Sequence, residues 1–187
     1  MTGFATYTDL GTRLKRVFVE DEQEWINELL EDASEHLRTV IGQEVYPQRT
    51  VTFEGWPAGG RVDLPQAPVV SIENVARAGQ LIPYQRGPGY VVVDGAGPVD
   101  VTYRFGTTAP PRELTRLACV LVSQTLLPLE QELGLTAGGL SSVQLDDFKL
   151  AFANAGELSG MALTKHATAS IQKQFGREGV AIVEASS

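Results

Sequence analysis

The side chains able to move protons, attack carbon or hold a metal are few and scattered along this chain. Histidine occurs twice, as His36 and His166. Neither sits in a nucleophile motif, and no Cys/His cluster has zinc spacing. A lone helical histidine of this kind reads as a surface or boundary residue. The single cysteine, Cys119, excludes an internal disulfide. It lies in an apolar stretch and reads as a small buried side chain with an inert thiol. Asp146 and Asp147 are adjacent, so their side chains project differently and do not converge as a hydrolase's carboxylate pair would. The glycine-rich segments lack the P-loop lysine and the strand–GxGxxG–helix context. Trp56, Tyr84, Tyr90 and Tyr103 could form a flat platform for a sugar ring, although aromatic packing in a sheet accounts for them more simply. These patterns predict no catalysis, no metal and no cofactor.

What remains is the chemistry of surfaces. The net charge is -8, and residues 20–35 hold eight acids with no Lys or Arg. Removing those eight from the 23 acids leaves 15, against 15 Lys and Arg, so the acidity is one local surface. That argues against a general nucleic-acid binder, which needs a basic face. Glu24, Glu28, Glu31, Asp32 and Glu35 form the candidate acidic face, which as a charge run reads first as a solvated surface. The opposite sign gathers near the C-terminus: Lys165, Lys173 and Arg177 occur with no acid between residues 161 and 177.

Elements must position these groups. Residues 6–16 predict a short helix, and residues 21–41 a longer one capped by Asp21 with Glu24 as its capping-box partner. Trp25, Ile26, Leu29, Leu30, Ala33, Leu37, Val40 and Ile41 trace one apolar stripe. Buried, each contributes roughly 1.5–3 kcal/mol, Ala33 less. Gly42 is the expected C-cap. Residues 49–105 alternate in short runs separated by Gly/Pro joints, which predicts antiparallel hairpins rather than βαβ crossovers. The clearest strand is the last, with Val99, Val101, Tyr103 and Phe105 on one face and Asp100, Thr102 and Arg104 on the other. Gly106 ends it. A proline-started helix over 111–130 follows, with Leu114, Leu117, Ala118, Leu121, Val122 and Leu126 at helical spacing. Residues 134–158 read as an arm. A terminal amphipathic helix after Ser159 carries Leu163, Ala167, Ile171 and Phe175 at i, i+4 spacing and ends at Gly176. Val180 to Val183 is an apolar tail able to add a strand to another surface.

These elements predict an α+β fold: a mainly helical bundle with an inserted antiparallel β-hairpin region, plus a C-terminal arm and helix. Two parts are expected, a core over 1–133 and an arm with a docking helix over 134–187. No apolar run approaches the ~20 residues of a membrane-spanning helix, and the first residues lack the apolar segment of a signal peptide. The chain reads as a protein made and used in a cytoplasm.

Two segments carry a resemblance. Leu64-Pro65-Gln66-Ala67-Pro68-Val69-Val70-Ser71-Ile72 looks like an L-P-x-x-P-V-x-S-I approach to a strand. Val101-Thr102-Tyr103-Arg104-Phe105-Gly106, with Pro110-Pro111, looks like a V-x-Y-x-x-G strand followed by a proline-started helix. Their order and spacing resemble the head-tail connector (adaptor) proteins of tailed bacteriophages over most of the chain. The resemblance implies a structural protein of the virion neck, assembled in the host cytoplasm, that forms a ring, commonly a dodecamer, under the portal protein. Such a ring extends the DNA channel, lets genomic DNA pass without sequence-specific binding, and presents a surface to stopper or tail-completion proteins. Leu163, Lys165, Ala167, Ile171, Lys173, Phe175 and Arg177 are then candidates for docking to the portal or another partner. A small β-rich glycan- or ligand-binding module is the competing expectation.

Overall fold

A computed structural model describes residues 3–132 and 163–176. It divides the chain into two compact units, Met1–Val40 with Pro110–Ser170, and Ile41–Ala109 with Ile171–Ser187. Four helices and seven strands occur among the described residues: α1 (Tyr7–Leu14), α2 (Glu20–Ile41), β1 (Arg49–Gly55), β2 (Arg61–Asp63), β3 (Val69–Arg77), β4 (Gln80–Leu81), β5 (Tyr84–Gly87), β6 (Tyr90–Val93), β7 (Val99–Phe105), α3 (Arg112–Glu132) and α4 (Lys165–Phe175).

In the first unit, Thr6 caps α1. Its hydroxyl accepts from the Asp9 amide while the Asp9 carboxylate accepts from the Thr6 amide, a reciprocal capping box. The start of α2 differs from expectation. The helix begins at Glu20, and it is Glu22, not Glu24, that reaches back, its carboxylate accepting from the Val19 amide at 3.1 Å. Asp21 is therefore inside the first turn and not the cap. The predicted stripe of α2 is otherwise buried, with Val40 half-buried. Gly42 follows at φ +75°, the left-handed conformation a C-cap uses. Phe4 ties the helices together. Its amide donates to Ser34 Oγ of α2 at 2.8 Å, and its carbonyl accepts from Thr115 Oγ1 of α3 at 2.8 Å. α3 starts one residue later than expected, directly after Pro111, and runs through Pro128 to Glu132.

The second unit overturns the expected architecture. The strands are not hairpins inserted in a helical bundle; they form two antiparallel sheets with their own core, making the protein a β-rich α+β fold. The sheet orders are β1-β7-β3-β4 and β2-β6-β5. Val75, Val99, Val101, Tyr103 and Phe105 from the first sheet meet Val62, Val91 and Val93 from the second, with Leu64, in one apolar cluster. Among the described residues, the strand that comes last in sequence is central in its sheet. β7 pairs β1 from Arg49↔Phe105 to Gly55↔Val99, and pairs β3 on its other side. Only β3–β4 and β5–β6 pair with a sequence neighbour. The helical stripes dominate a linear reading because each spans many turns. The short strands gain their partners only through long-range pairing.

Gly106 locks the end of β7. Its φ is +87°, and a Cβ there would lie 3.1 Å from the Pro47 carbonyl oxygen. Its amide donates to the Pro68 carbonyl at 2.9 Å.

Candidate interaction surfaces

The acidic face lies on α2 as the stripe requires. Glu24, Glu28, Asp32 and Glu35 are exposed, and Glu31 is half-buried. Glu35 bonds Arg38 one turn on at 2.7 Å. Partial burial raises the Asp32 carboxyl above its ordinary value, and the charges of Glu28 and Glu31 add to the rise. One acid in the run has a different task. Glu22 is buried and bonds the Arg16 guanidinium at 2.7 Å. No spacing rule links those two residues, whereas Thr6-x-x-Asp9 was a readable capping signature.

Of the candidate docking residues, Lys165 and Lys173 are exposed, while Leu163, Ala167 and Phe175 are half-buried. Ile171 is buried. Arg177 lies outside the described residues. So do Ser159, the arm over 134–158, the Asp146–Asp147 pair and the 180–183 tail. The helix begins at Lys165, with Thr164 Oγ1 accepting from the Ala167 amide at 3.2 Å. Its last residue is fixed to the second unit by Gln43, whose Nε2 donates to the Phe175 carbonyl.

A further surface takes in Trp56 and Tyr84 of the expected sugar platform, but its place at one end of the sheet was not read from sequence. Gly55 of β1 lies opposite Val99, and on the other side of β7 Ala76 of β3 lies opposite Asp100. The 56–60 and 78–79 turns therefore share one end of the sheet with the 94–98 loop. Arg77 fastens that end, donating to the carbonyls of Asp94 at 2.7 Å and Gly95 at 3.2 Å. Trp56 is 71% exposed there and Leu81 76%. Tyr84 and Val92 flank a small cleft of about 120 Å³ with Pro83 and Asp94. In the first unit, Tyr7, Gly11, Lys15, Arg16 and Phe18 line an open cleft of about 500 Å³. Val17 beside it is 91% exposed.

The aromatic platform is not assembled. Tyr103 is fully buried, its hydroxyl donating to Gln66 Oε1 at 2.6 Å, and Tyr90 lies beneath the Arg61 guanidinium, 3.9 Å from the ring centre. Cys119 is buried, and burial pushes its thiol up to about 11, with Asp9 adding to the rise and Arg13 opposing it. His36 is half-buried and His166 exposed. Among the described residues, no three His, Cys, Asp or Glu side chains stand together where they could hold a metal. No described helix is long and apolar enough to cross a membrane.

No protein-family model matches the chain, and no curated protein matches it.

Proposed function

We propose that this chain is a structural protein of the neck of a tailed bacteriophage, forming a ring under the portal, extending the DNA channel and joining head to tail without catalysis. The observation that carries this reading is that the two segments bearing the resemblance fold against each other. The strand holding Val101 and Tyr103, which Gly106 ends, pairs directly with the strand that Leu64–Ile72 leads into. Tyr103 and Gln66 exchange hydrogen bonds across the pair, and Gly106 bonds Pro68. The two motifs thus act as one structural device. Exposed Trp56 adds a large aromatic side chain of the kind that anchors protein interfaces.

The test mixes the full chain with the portal protein encoded nearby in its genome and examines the product by pull-down and electron microscopy. A ring stacked coaxially on the portal is expected. Absence of binding both in solution and on assembled heads overturns the reading. In DNA-filled particles, charge reversal of Glu28 and Glu31 tests the acidic face as a channel lining. DNA retention and ejection change if these carboxylates repel passing phosphates, and stay unchanged if the face is only solvated.

A further inference from the structure

The outer face of the first sheet is polar, and its side chains form rows across the strands. Thr50, Thr52 and Glu54 of β1 lie opposite Arg104, Thr102 and Asp100 of β7. On the other side of β7, Ser71, Asn74 and Ala76 of β3 lie opposite the same three residues, and Leu81 of β4 lies opposite Ala76. The alternate residues Val99, Val101, Tyr103 and Phe105 fill the core on the inner face.

Two of these rows satisfy their own polar groups. Thr52 and Thr102 share a hydrogen bond at 2.9 Å. Glu73 of β3 accepts from Thr50 at 3.2 Å and pairs with Arg104 at 3.3 Å. The remaining row does not. Glu54 and Asp100 stand directly opposite each other, and no described cation pairs with either carboxylate. Like charges in that position destabilise a sheet. Arg77, next in sequence to Ala76, is committed to the carbonyls of Asp94 and Gly95.

The same row carries exposed apolar surface. A Cβ on Gly55 would lie 2.4 Å from Val62 Cγ1 of the core, so Gly55 faces inward. Glu54 and, by alternation, Trp56 therefore belong to the outer side. Trp56 and Leu81 are both exposed. From Glu54 to Leu81 the row crosses three strand spacings, about 14 Å. About five residues of extended chain cover that length.

Charge decides the kind of occupant. Carboxylates repel phosphate, which excludes a nucleic acid. A hard divalent ion takes about six oxygen ligands, and among the described residues no third acid, His or Cys joins this pair. An ammonium or guanidinium needs only acceptor oxygens and, at best, an aromatic face. Glu54, Asp100 and Trp56 supply both.

We propose that the row from Trp56 and Glu54 through Asp100 to Leu81 is a docking site for a basic, extended segment of a partner protein. A Lys or Arg side chain of that segment sits between Glu54 and Asp100, and its apolar side chains cover Trp56 and Leu81. The proposal goes beyond the neck reading and does not depend on it.

The test titrates full-length protein with a short synthetic peptide of alternating Lys and Leu, and with its Glu/Leu counterpart. Trp25 is buried, so a blue shift of tryptophan emission reports cover over Trp56. The Lys/Leu peptide is expected to bind with that shift and the Glu/Leu peptide not to bind. E54Q/D100N is expected to weaken binding about fivefold, and W56S about tenfold. E54Q/D100N is also expected to melt no lower than the parent, since it removes a like-charge pair, so lost binding is not lost folding. E20Q/D21N removes the same number of charges elsewhere and is expected to bind as the parent does. Equal weakening by E20Q/D21N assigns the binding to net charge and overturns the proposal. Equal binding of both peptides, or none of the Lys/Leu peptide, overturns it too. Size-exclusion chromatography of the same proteins covers the remaining occupant. A parent oligomer that E54Q/D100N converts to monomer gives the row to a second copy of this chain and overturns a separate partner.

Discussion

Glu22 and Asp32 share a helix and a charge but face opposite circumstances. Glu22 is buried and accepts from Arg16 and from the Val19 amide. Glu22→Ala removes the acceptor of both bonds and is expected to cost about 2 kcal/mol in urea denaturation. Asp32 lies four residues after Glu28, a like-charge spacing, and its carboxyl is raised by partial burial and by its acidic neighbours. A raised value means that the folded state holds the proton more tightly than the unfolded chain. The ionised carboxylate therefore destabilises the fold at neutral pH, and the penalty fades as pH falls toward and below the ordinary 3.8. Asp32→Asn is expected to stabilise at pH 7 by about 0.2–0.5 kcal/mol. Melting curves of variant and parent should converge near pH 3. Cys119, raised to about 11 by burial, is expected to resist thiol reagents at pH 8 until denaturant is added.

At the scale of elements, the ends matter more than the middles. The Thr6–Asp9 box closes the first turn of α1, and Thr6→Ala is expected to cost about 1 kcal/mol. At the end of β7, Gly106 combines a positive φ with a close backbone neighbour. Gly106→Ala is expected to cost about 1–3 kcal/mol, read as a lower denaturation midpoint. The strand before it was legible because Val99, Val101, Tyr103 and Phe105 alternate without interruption, and all four are buried. The α2 stripe was legible for the corresponding reason at helical period. The beginning of α2 was not. Asp21 and Glu24 satisfy the capping spacing as well as any pair, and the choice of Glu22 depends on Arg16 approaching from the preceding loop.

At the scale of the whole molecule, the exposed residues separate stability from association. Trp56 contributes little to folding at its exposure, so Trp56→Ser is expected to change stability by less than about 0.5 kcal/mol. If the chain is the neck protein proposed above and this end of the sheet docks its partner, the same change is expected to lower the amount of portal that co-purifies with it.

The sequence by itself determined the local pattern: which residues form the long helices, that the strands are antiparallel, which face of each is apolar, and that the net acidity is concentrated in one helix. These follow from periodicity and composition, which are properties of neighbours in the chain. Only the tertiary structure decided that β7 is central, that the strands close two sheets around their own core, and that Glu22 is an internal anchor. Each of those depends on contacts between residues far apart in sequence. Their geometry is set by packing across the fold, and no short window of the chain encodes it.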